Sequence, residues 1–305
     1  MKTIICGICD YPSVLKSAVY GLEEMFNLAN RICSELEVPV RFEPLITAST
    51  NLPNSLFTVV ILPPCAMSDY YIHPMEEFVQ WLTQKYQEGS ILSSACAGTF
   101  ILAATGAIDS RTVTTHWSLS DKFKKQFPTI PTDTNKILIN HGDIISAGGI
   151  MSWLDLGFEI IAKYSSQLVV SRLGKTLVMD TAHREQQYYK QFNPTFSHGD
   201  KAIVTVQQQM HQEYTNGLLI HELAKQANLT MRTLQRRFQK ATGMNPNQYL
   251  QRLRIQHACD YLETTTYTFD WIANNIGYED TSACRKSFIN ITGLTPKEFR
   301  RRFGS

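Results

Sequence analysis

Two stretches in the last third of this 305-residue chain repeat one another at a fixed offset, and that repeat restricts the fold more than any other feature. The first holds Leu223-Ala224, Phe238, Thr242-Gly243, Pro246 and Tyr249, and the second holds Ile272-Ala273, Phe288, Thr292-Gly293, Pro296 and Phe299. In both, Phe precedes Gly by five residues, Gly precedes Pro by three, and Pro precedes an aromatic residue by three. The offset is 50 residues, with one extra residue in the second copy ahead of its Phe. Matches at this many fixed offsets mark a duplicated structural unit.

Each copy reads as helix, short turn, helix. In the first, residues 219–227 form a short helix and Asn228-Leu229 the turn. Thr230 is then a hydroxyl N-cap for a second helix over 231–241. Leu234 and Phe238, four apart, face a core, while Arg232, Thr233, Gln235, Arg236 and Arg237 occupy the other faces. In the second copy, residues 269–275 lead through Gly277-Tyr278 to a helix over 281–291, with Cys284 and Phe288 inward and Ser282, Arg285 and Lys286 outward. A helix laid in a DNA major groove needs this pattern: an apolar back and hydrogen-bonding side chains near its N-terminal half. Arg takes guanine's two acceptors and Gln brackets adenine. The formal net charge of +2 conceals −4 over residues 1–200 and +6 over 201–305, and a locally basic third favours a polyanionic partner.

These residues resemble a known family. Leu223-Ala224, the run from Thr230 to Phe238 and Gly243-Met244-Asn245-Pro246 look like the first half of an AraC/XylS-type DNA-binding domain. Ile272-Ala273, Gly277-Tyr278-Glu279-Asp280, Phe288 and the run from Gly293 to Arg300 look like its second half. The resemblance covers about 100 residues and implies two helix-turn-helix units joined by one helix. A linking helix over 247–262 would be about 24 Å long, which brings the recognition helices near the roughly 34 Å of one DNA turn. By the family register, Arg232, Gln235 and Arg236, with Thr233, are the expected DNA contacts of the first unit, and Thr281, Ser282, Arg285 and Lys286 those of the second. Ala283 and Cys284 shorten the reach of the second helix, so the first is expected to carry more of the specificity.

Residues 2–180 have a different texture, alternating short β-branched runs with helical patterns. Strands are expected at 3–8, 41–45, 58–62, 90–94 and 144–146, and helices at 18–36, 75–86, 99–105 and 154–164. The alternation argues for an α/β domain with a doubly wound parallel sheet. The polar and aromatic stretch from His183 to Lys201 reads as a linker or an arm, and beyond Ala202 every strong pattern is helical. The expected boundaries are 1–185 for the first domain, 186–203 for the linker and 204–305 for the all-α second domain.

Within the first domain, Ile91 to Ser94 leads into Ala95-Cys96-Ala97-Gly98 and then a helix: strand, cysteine among small residues, helix. That is the layout of a nucleophile elbow, where a helix N-terminus can lower a thiol's pKa. Thr114-Thr115-His116-Trp117 follows twenty residues later and offers a base. With Leu102-Ala103, the run from Gly106 to Ser110, Gly21 to Phe26, Leu62-Pro63-Pro64, Ala147-Gly148-Gly149, Asp155-Leu156 and His183-Arg184-Glu185-Gln186, these residues resemble the ThiJ/PfpI superfamily. The resemblance is to its GlxA-like branch, which is fused to AraC-type domains. It implies a flavodoxin-like fold of the class I glutamine amidotransferase type. Where the enzymes of the superfamily carry an acid after the first strand, this chain has Lys16 and no carboxylate between Tyr11 and Leu22. Where they have a glycine lining the site, it has Pro64. The residues Cys96, Ala97, His116, Trp117, Pro64 and Cys65 are expected to line a small-molecule pocket, with no catalytic residue assigned; a purely dimerising domain and retained hydrolase chemistry are the alternatives.

Other residues carry less. Cys6 and Cys9 form a CxxC inside an apolar strand without a second pair, and His73, His141, His198, His211 and His221 show no metal-ligand spacing, so no metal or other cofactor is expected. The seven scattered cysteines read as free thiols, Trp81 and Trp153 read as core, and Gly148-Gly149 lacks the rest of a phosphate loop. The composition, 43% hydrophobic and 18% charged, excludes disorder, collagen and coiled coil as the main architecture. Apolar runs such as Val59 to Leu62 fall far short of a membrane span, and the N-terminus reads as a strand. The sum is a cytoplasmic, sequence-specific transcription regulator, an activator by family resemblance. It is expected to bind promoter half-sites on double-stranded DNA as a homodimer and to answer to a small effector, with RNA polymerase as a further contact. The rival reading is a cysteine-dependent hydrolase or amidase of the PfpI type tethered to DNA.

Overall fold

In the computed structural model, residues 1–65, 69–181 and 184–304 are described. The chain divides into two compact units, Met1–Gln186 and Gln187–Ser305.

The first unit is a six-stranded sheet in the order β2-β1-β3-β4-β6-β5, with β1 Lys2–Asp10, β2 Val40–Ala48, β3 Val59–Leu62, β4 Ile91–Ala95, β5 Leu138–Asn140 and β6 Ile144–Ala147. Every residue of β3 and β4 is buried, which requires helices on both faces, as parallel sheets do. Helices α1 (Lys16–Glu35), α5 (Trp153–Tyr164) and α6 (Gln167–Thr176) pack together as one group, and α2 (Glu76–Gln87) packs on α3 (Gly98–Ala104) as the other. The strands pair in parallel except β5, which runs antiparallel to β6. The alternation of strands and helices does not reveal β5. It is three residues long and joined to β6 by His141-Gly142-Asp143, far too little chain for a parallel crossover. Helices α4 (Ser120–Gln126) and α6 also add to the elements expected from sequence.

The second unit is all helix: α7 Lys201–Glu213, α8 Ile220–Gln226, α9 Met231–Thr242, α10 Pro246–Thr264, α11 Phe269–Asn275, α12 Thr281–Thr292 and α13 Pro296–Phe303. It has two cores. One gathers Ile203, Val206 and Met210 of α7 with Leu223, Leu234, Phe238 and Tyr249. The other gathers Ile255, Cys259 and Leu262 with Ile272, Cys284, Phe288 and Phe299. Helix α10 feeds both, Leu253 to the first and Ile255 to the second, so its apolar residues are spread around the axis instead of forming one stripe. It closes the first group of helices and opens the second, at about 28 Å for its 19 residues.

The stretch expected as a linker is structured. Gln186 is buried in the first unit. In the second, Phe192 stands edge-on to Tyr249 at 5.0 Å between ring centres and Asp200 caps α7 by accepting from the Ile203 amide.

Candidate functional site

The duplication extends to individual hydrogen bonds. After α9 the chain leaves through Gly243 at φ 73°, and after α12 through Gly293 at φ 78°, the left-handed turn that ends a helix without a Cβ clash. Ahead of each glycine a threonine hydroxyl donates back into the helix, Thr242 to the Phe238 carbonyl at 2.8 Å and Thr292 to the Phe288 carbonyl at 2.9 Å, while accepting from the amide two residues on. The next helices open with proline in the first turn and reciprocal capping boxes, Asn245 with Gln248 and Thr295 with Glu298. The extra residue of the second copy sits in the turn. Asn228-Leu229 precedes the cap Thr230, whereas Gly277-Tyr278-Glu279 precedes the cap Asp280. Thr230 accepts from the amide three residues on, at Thr233, and Asp280 from the amide two residues on, at Ser282.

On α9, Leu234 and Phe238 are fully buried while Arg232, Gln235 and Arg236 are exposed. Among the described residues these three have no hydrogen-bond or ion-pair partner, so their donors are free for a ligand. Thr233 is half-buried and receives the Thr230 hydroxyl's proton at 2.9 Å. Arg237, on the flank of the same helix, is withdrawn: its guanidinium grips Asp200 through Nε at 2.9 Å and Nη2 at 2.5 Å. That pair holds the Asp200 carboxyl below its usual range. The sequence signal was there in part, since Asp200 stands three residues before the apolar Ile203, Val206 and Met210 of α7, the spacing of a capped amphipathic helix.

On α12, Ser282, Arg285 and Lys286 are exposed and Thr281 is half-buried. The Arg285 guanidinium lies over the Phe269 ring at 4.9 Å and 4.0 Å from an Asp270 carboxylate oxygen. Lys286 makes no such contact among the described residues.

In the first unit, Cys96 stands at the carboxyl end of β4 with φ 55°, the strained turn of a nucleophile elbow. Its amide donates to the Ala147 carbonyl at 2.8 Å, and its carbonyl accepts from the Thr115 hydroxyl at 2.7 Å. A Cβ at Gly98 would stand 2.5 Å from the Leu62 carbonyl oxygen, which explains the glycine that opens α3. The backbone is that of an elbow, but the electrostatics are not. Cys96 is 5% exposed, and burial pushes its thiol up to about 12. Near it are Cys65 and the buried Tyr11, whose hydroxyl donates to the Pro63 carbonyl.

His116 and Trp117, which follow Thr115 in the chain, are half-buried. His116 Nδ1 is engaged with Ser118 at 2.7 Å, and burial lowers its pKa. Among the described residues no hydrogen bond joins Cys96 to His116. Lys16, at the place of the superfamily's acid, turns to Asp10 at 2.6 Å. Sequence reading did not anticipate Tyr11, or the part played by Gln186, whose buried amide receives the Trp117 N–H at 2.8 Å and donates to the Thr115 carbonyl at 3.0 Å. Of the His183-Arg184-Glu185-Gln186 motif, His183 lies outside the described residues; Arg184 makes a paired contact with Asp155 at 3.0 and 2.6 Å.

All seven cysteines are free and buried. Among the described residues no group of His, Cys, Asp and Glu has the geometry to hold a metal, and no helix is long and apolar enough to cross a membrane.

Comparison with known proteins follows the same two units. Residues 45–163 match the DJ-1/PfpI family and residues 223–302 match the Helix-turn-helix domain family. The HTH-type transcriptional regulator CdhR of Pseudomonas aeruginosa is 25% identical over 73% of this chain and 66% of its own length. The HTH-type transcriptional regulator GlxA of Rhizobium meliloti is 25% identical over 71% of this chain and 67% of its own. The chain thus spans just under two thirds of the length of CdhR. A Vibrio parahaemolyticus protein of known structure, 15% identical, superposes with a TM-score of 0.50 over 58% of this chain and all of its own, which supports the α/β fold. The chain thus joins a stretch similar to the DJ-1/PfpI family to a helix-turn-helix domain that follows it, and along most of its length it is similar to HTH-type transcriptional regulators.

Proposed function

We propose that this protein is a sequence-specific DNA-binding transcription regulator that reads two successive major-groove segments with α9 and α12. One observation carries the reading: on α9, exposed Arg232, Gln235 and Arg236, without a partner among the described residues, stand on a helix whose back is locked into a core by Leu234 and Phe238. Guanidinium and amide groups left free on a rigid helix face are what base-edge recognition requires. The names of the relatives, HTH-type transcriptional regulators, agree with it.

The first unit is a sensing or dimerising domain without hydrolase activity. At neutral pH a thiol pushed to about 12 is protonated and a His with a lowered pKa is neutral, so neither nucleophile nor ion pair is preformed. A small effector at Cys96, Ala97, His116, Trp117, Pro64 and Cys65 acts only to the extent that its affinity differs between two arrangements of the protein.

Selection of duplexes from a random pool by the full-length protein, followed by sequencing, tests the DNA reading. A shared motif with two half-segments about one helical turn apart is expected, and an unenriched pool refutes it. For the elbow, iodoacetamide labelling of Cys96 is expected to be slow at pH 7.5 and to quicken about tenfold per pH unit towards pH 11. Rapid labelling at pH 7 would restore the hydrolase alternative.

A further inference from the structure

Two polar helix faces of the second unit meet in an open groove of about 840 Å³. Helix α9 contributes Gln235, Arg236 and Gln239, α10 contributes Asn247 and Gln251, and Tyr278 also lines it. Not one carboxylate lines it, although eight Asp and Glu lie within residues 201–305. Beside the apolar Leu218, Ile220, Pro246 and Leu250, the polar side chains of the groove are mostly amides and guanidinium groups, which suit a polyanion and carry no preference for a base unless they reach a base edge.

Their bonding state separates the residues. Gln239 donates to the Gly243 carbonyl at 2.8 Å and Gln251 to the Ser287 hydroxyl at 2.7 Å. Asn247, in the first turn of α10, is exposed and has no hydrogen-bond partner among the described residues. It lines the groove from α10, as Arg236 does from α9. When α9 reads bases, the DNA strand bordering that major groove must pass along one flank of the helix, and this groove is a flank of α9.

We propose that the groove seats the sugar–phosphate strand between the two base-reading segments, with Asn247 on the linking helix donating to a phosphate oxygen. This rests on the reading of α9 as a base-reading helix. It makes α10 a third DNA-contacting element, a positioning one, outside both recognition helices.

The test uses the full-length protein, a duplex selected by that protein and a random duplex, with binding followed by fluorescence anisotropy between roughly 50 and 200 mM salt. Asn247→Asp places a negative charge beside the phosphate. It is expected to weaken binding to both duplexes about tenfold and to flatten the salt dependence by about 0.9 in log–log slope. Asn247→Lys is expected to do the reverse on both. Opposite signs at one position cannot come from misfolding, and an acid in a helix's first turn favours the fold. Base preferences are expected to stay as in the parent.

If both variants bind both duplexes within twofold of the parent, with unchanged slopes, the groove does not hold DNA. Should Arg236→Ala still relax base preference in that case, the reading of α9 survives alone; should it not, both fall. A shift of base preference in the Asn247 variants, instead of a uniform change in affinity, would overturn the phosphate role.

Discussion

The two copies of the repeat share a skeleton and differ in what they leave free. Aligned fifty residues apart, Leu234 and Phe238 correspond to Cys284 and Phe288, all fully buried, and Gly243 corresponds to Gly293 in the same left-handed turn. On the outer face Arg232 corresponds to Ser282, Gln235 to Arg285, Arg236 to Lys286 and Arg237 to Ser287. The first copy ties down the third of its arginines, Arg237, through Asp200, and leaves two guanidinium groups without a partner among the described residues. The second holds its single arginine over Phe269 and near Asp270, leaving one ammonium free. Duplication thus preserves what the fold needs, and divergence shows in which polar groups remain available. On the proposed reading, a skeleton held constant while the outer face changes would let one domain recognise two different DNA segments.

The largest effects test the shared skeleton. Phe238→Ala and Phe288→Ala each empty a buried aromatic site and are expected to destabilise the protein by about 3–5 kcal/mol. Urea unfolding of the full chain reads both. A loss at Phe288 far below that at Phe238 would mean that the two cores are not equivalently packed.

The reading surface comes next. Arg236→Ala is expected to weaken binding to a selected duplex by about 1–3 kcal/mol and to relax preference at one base pair. Arg285→Ala is expected to cost less than about 1 kcal/mol of binding, because an exposed arginine already engaged elsewhere has less to give to DNA. Competition with random duplex gives the specificity change; a larger loss at Arg285 would reverse the ranking of the copies.

Caps probe the one geometric difference. Thr230→Ala and Asp280→Ala each remove an acceptor for an unpaired amide and are expected to cost about 1 kcal/mol of stability. Thermal melts of the two variants answer this directly. A negligible change at Asp280 would indicate that the longer turn already satisfies the first turn of α12 by other means.

Much of this comparison was readable before any coordinates, and the reasons are physical. Helix, turn and cap depend on near neighbours in the chain, so Thr230, Gly243, Gly293 and the apolar pair Leu234 and Phe238 announced themselves by spacing. The burial of β3 on both faces is legible in its unbroken apolar run, whereas β4 is equally buried with Ser93 and Ser94 in its middle. What stayed hidden depended on distant partners. The Asp200–Arg237 pair spans 37 residues, Tyr11 meets Pro63 across 52, and Gln186 reaches Thr115 across 71. The same limit applies to the elbow. Its turn shows in Ala95-Cys96-Ala97-Gly98, while the state of the Cys96 thiol is set by how deeply the rest of the unit buries it.

The smallest expected effect is also confined to one copy. Arg237 holds the Asp200 carboxyl below its usual range, whereas the corresponding Ser287 carries no charge and accepts from Gln251. A depressed carboxylate adds stability that is present above the unfolded-state value of about 3.9 and lost as pH falls through the folded-state value. Asn is as good an N-cap as Asp, so Asp200→Asn keeps the cap of α7 and removes only the charge. The variant is therefore expected to be slightly less stable than the parent at pH 6, with the gap closing as pH falls below about 4. Chemical unfolding at several pH values checks this. A gap that persists to pH 3 would assign the contribution of Asp200 to its hydrogen bonds alone, and the first copy would then owe nothing to the charge that withdraws Arg237 from its reading face. Ser287→Ala, the matching change in the second copy, is expected to show no dependence on pH over that range, because neither it nor Gln251 titrates.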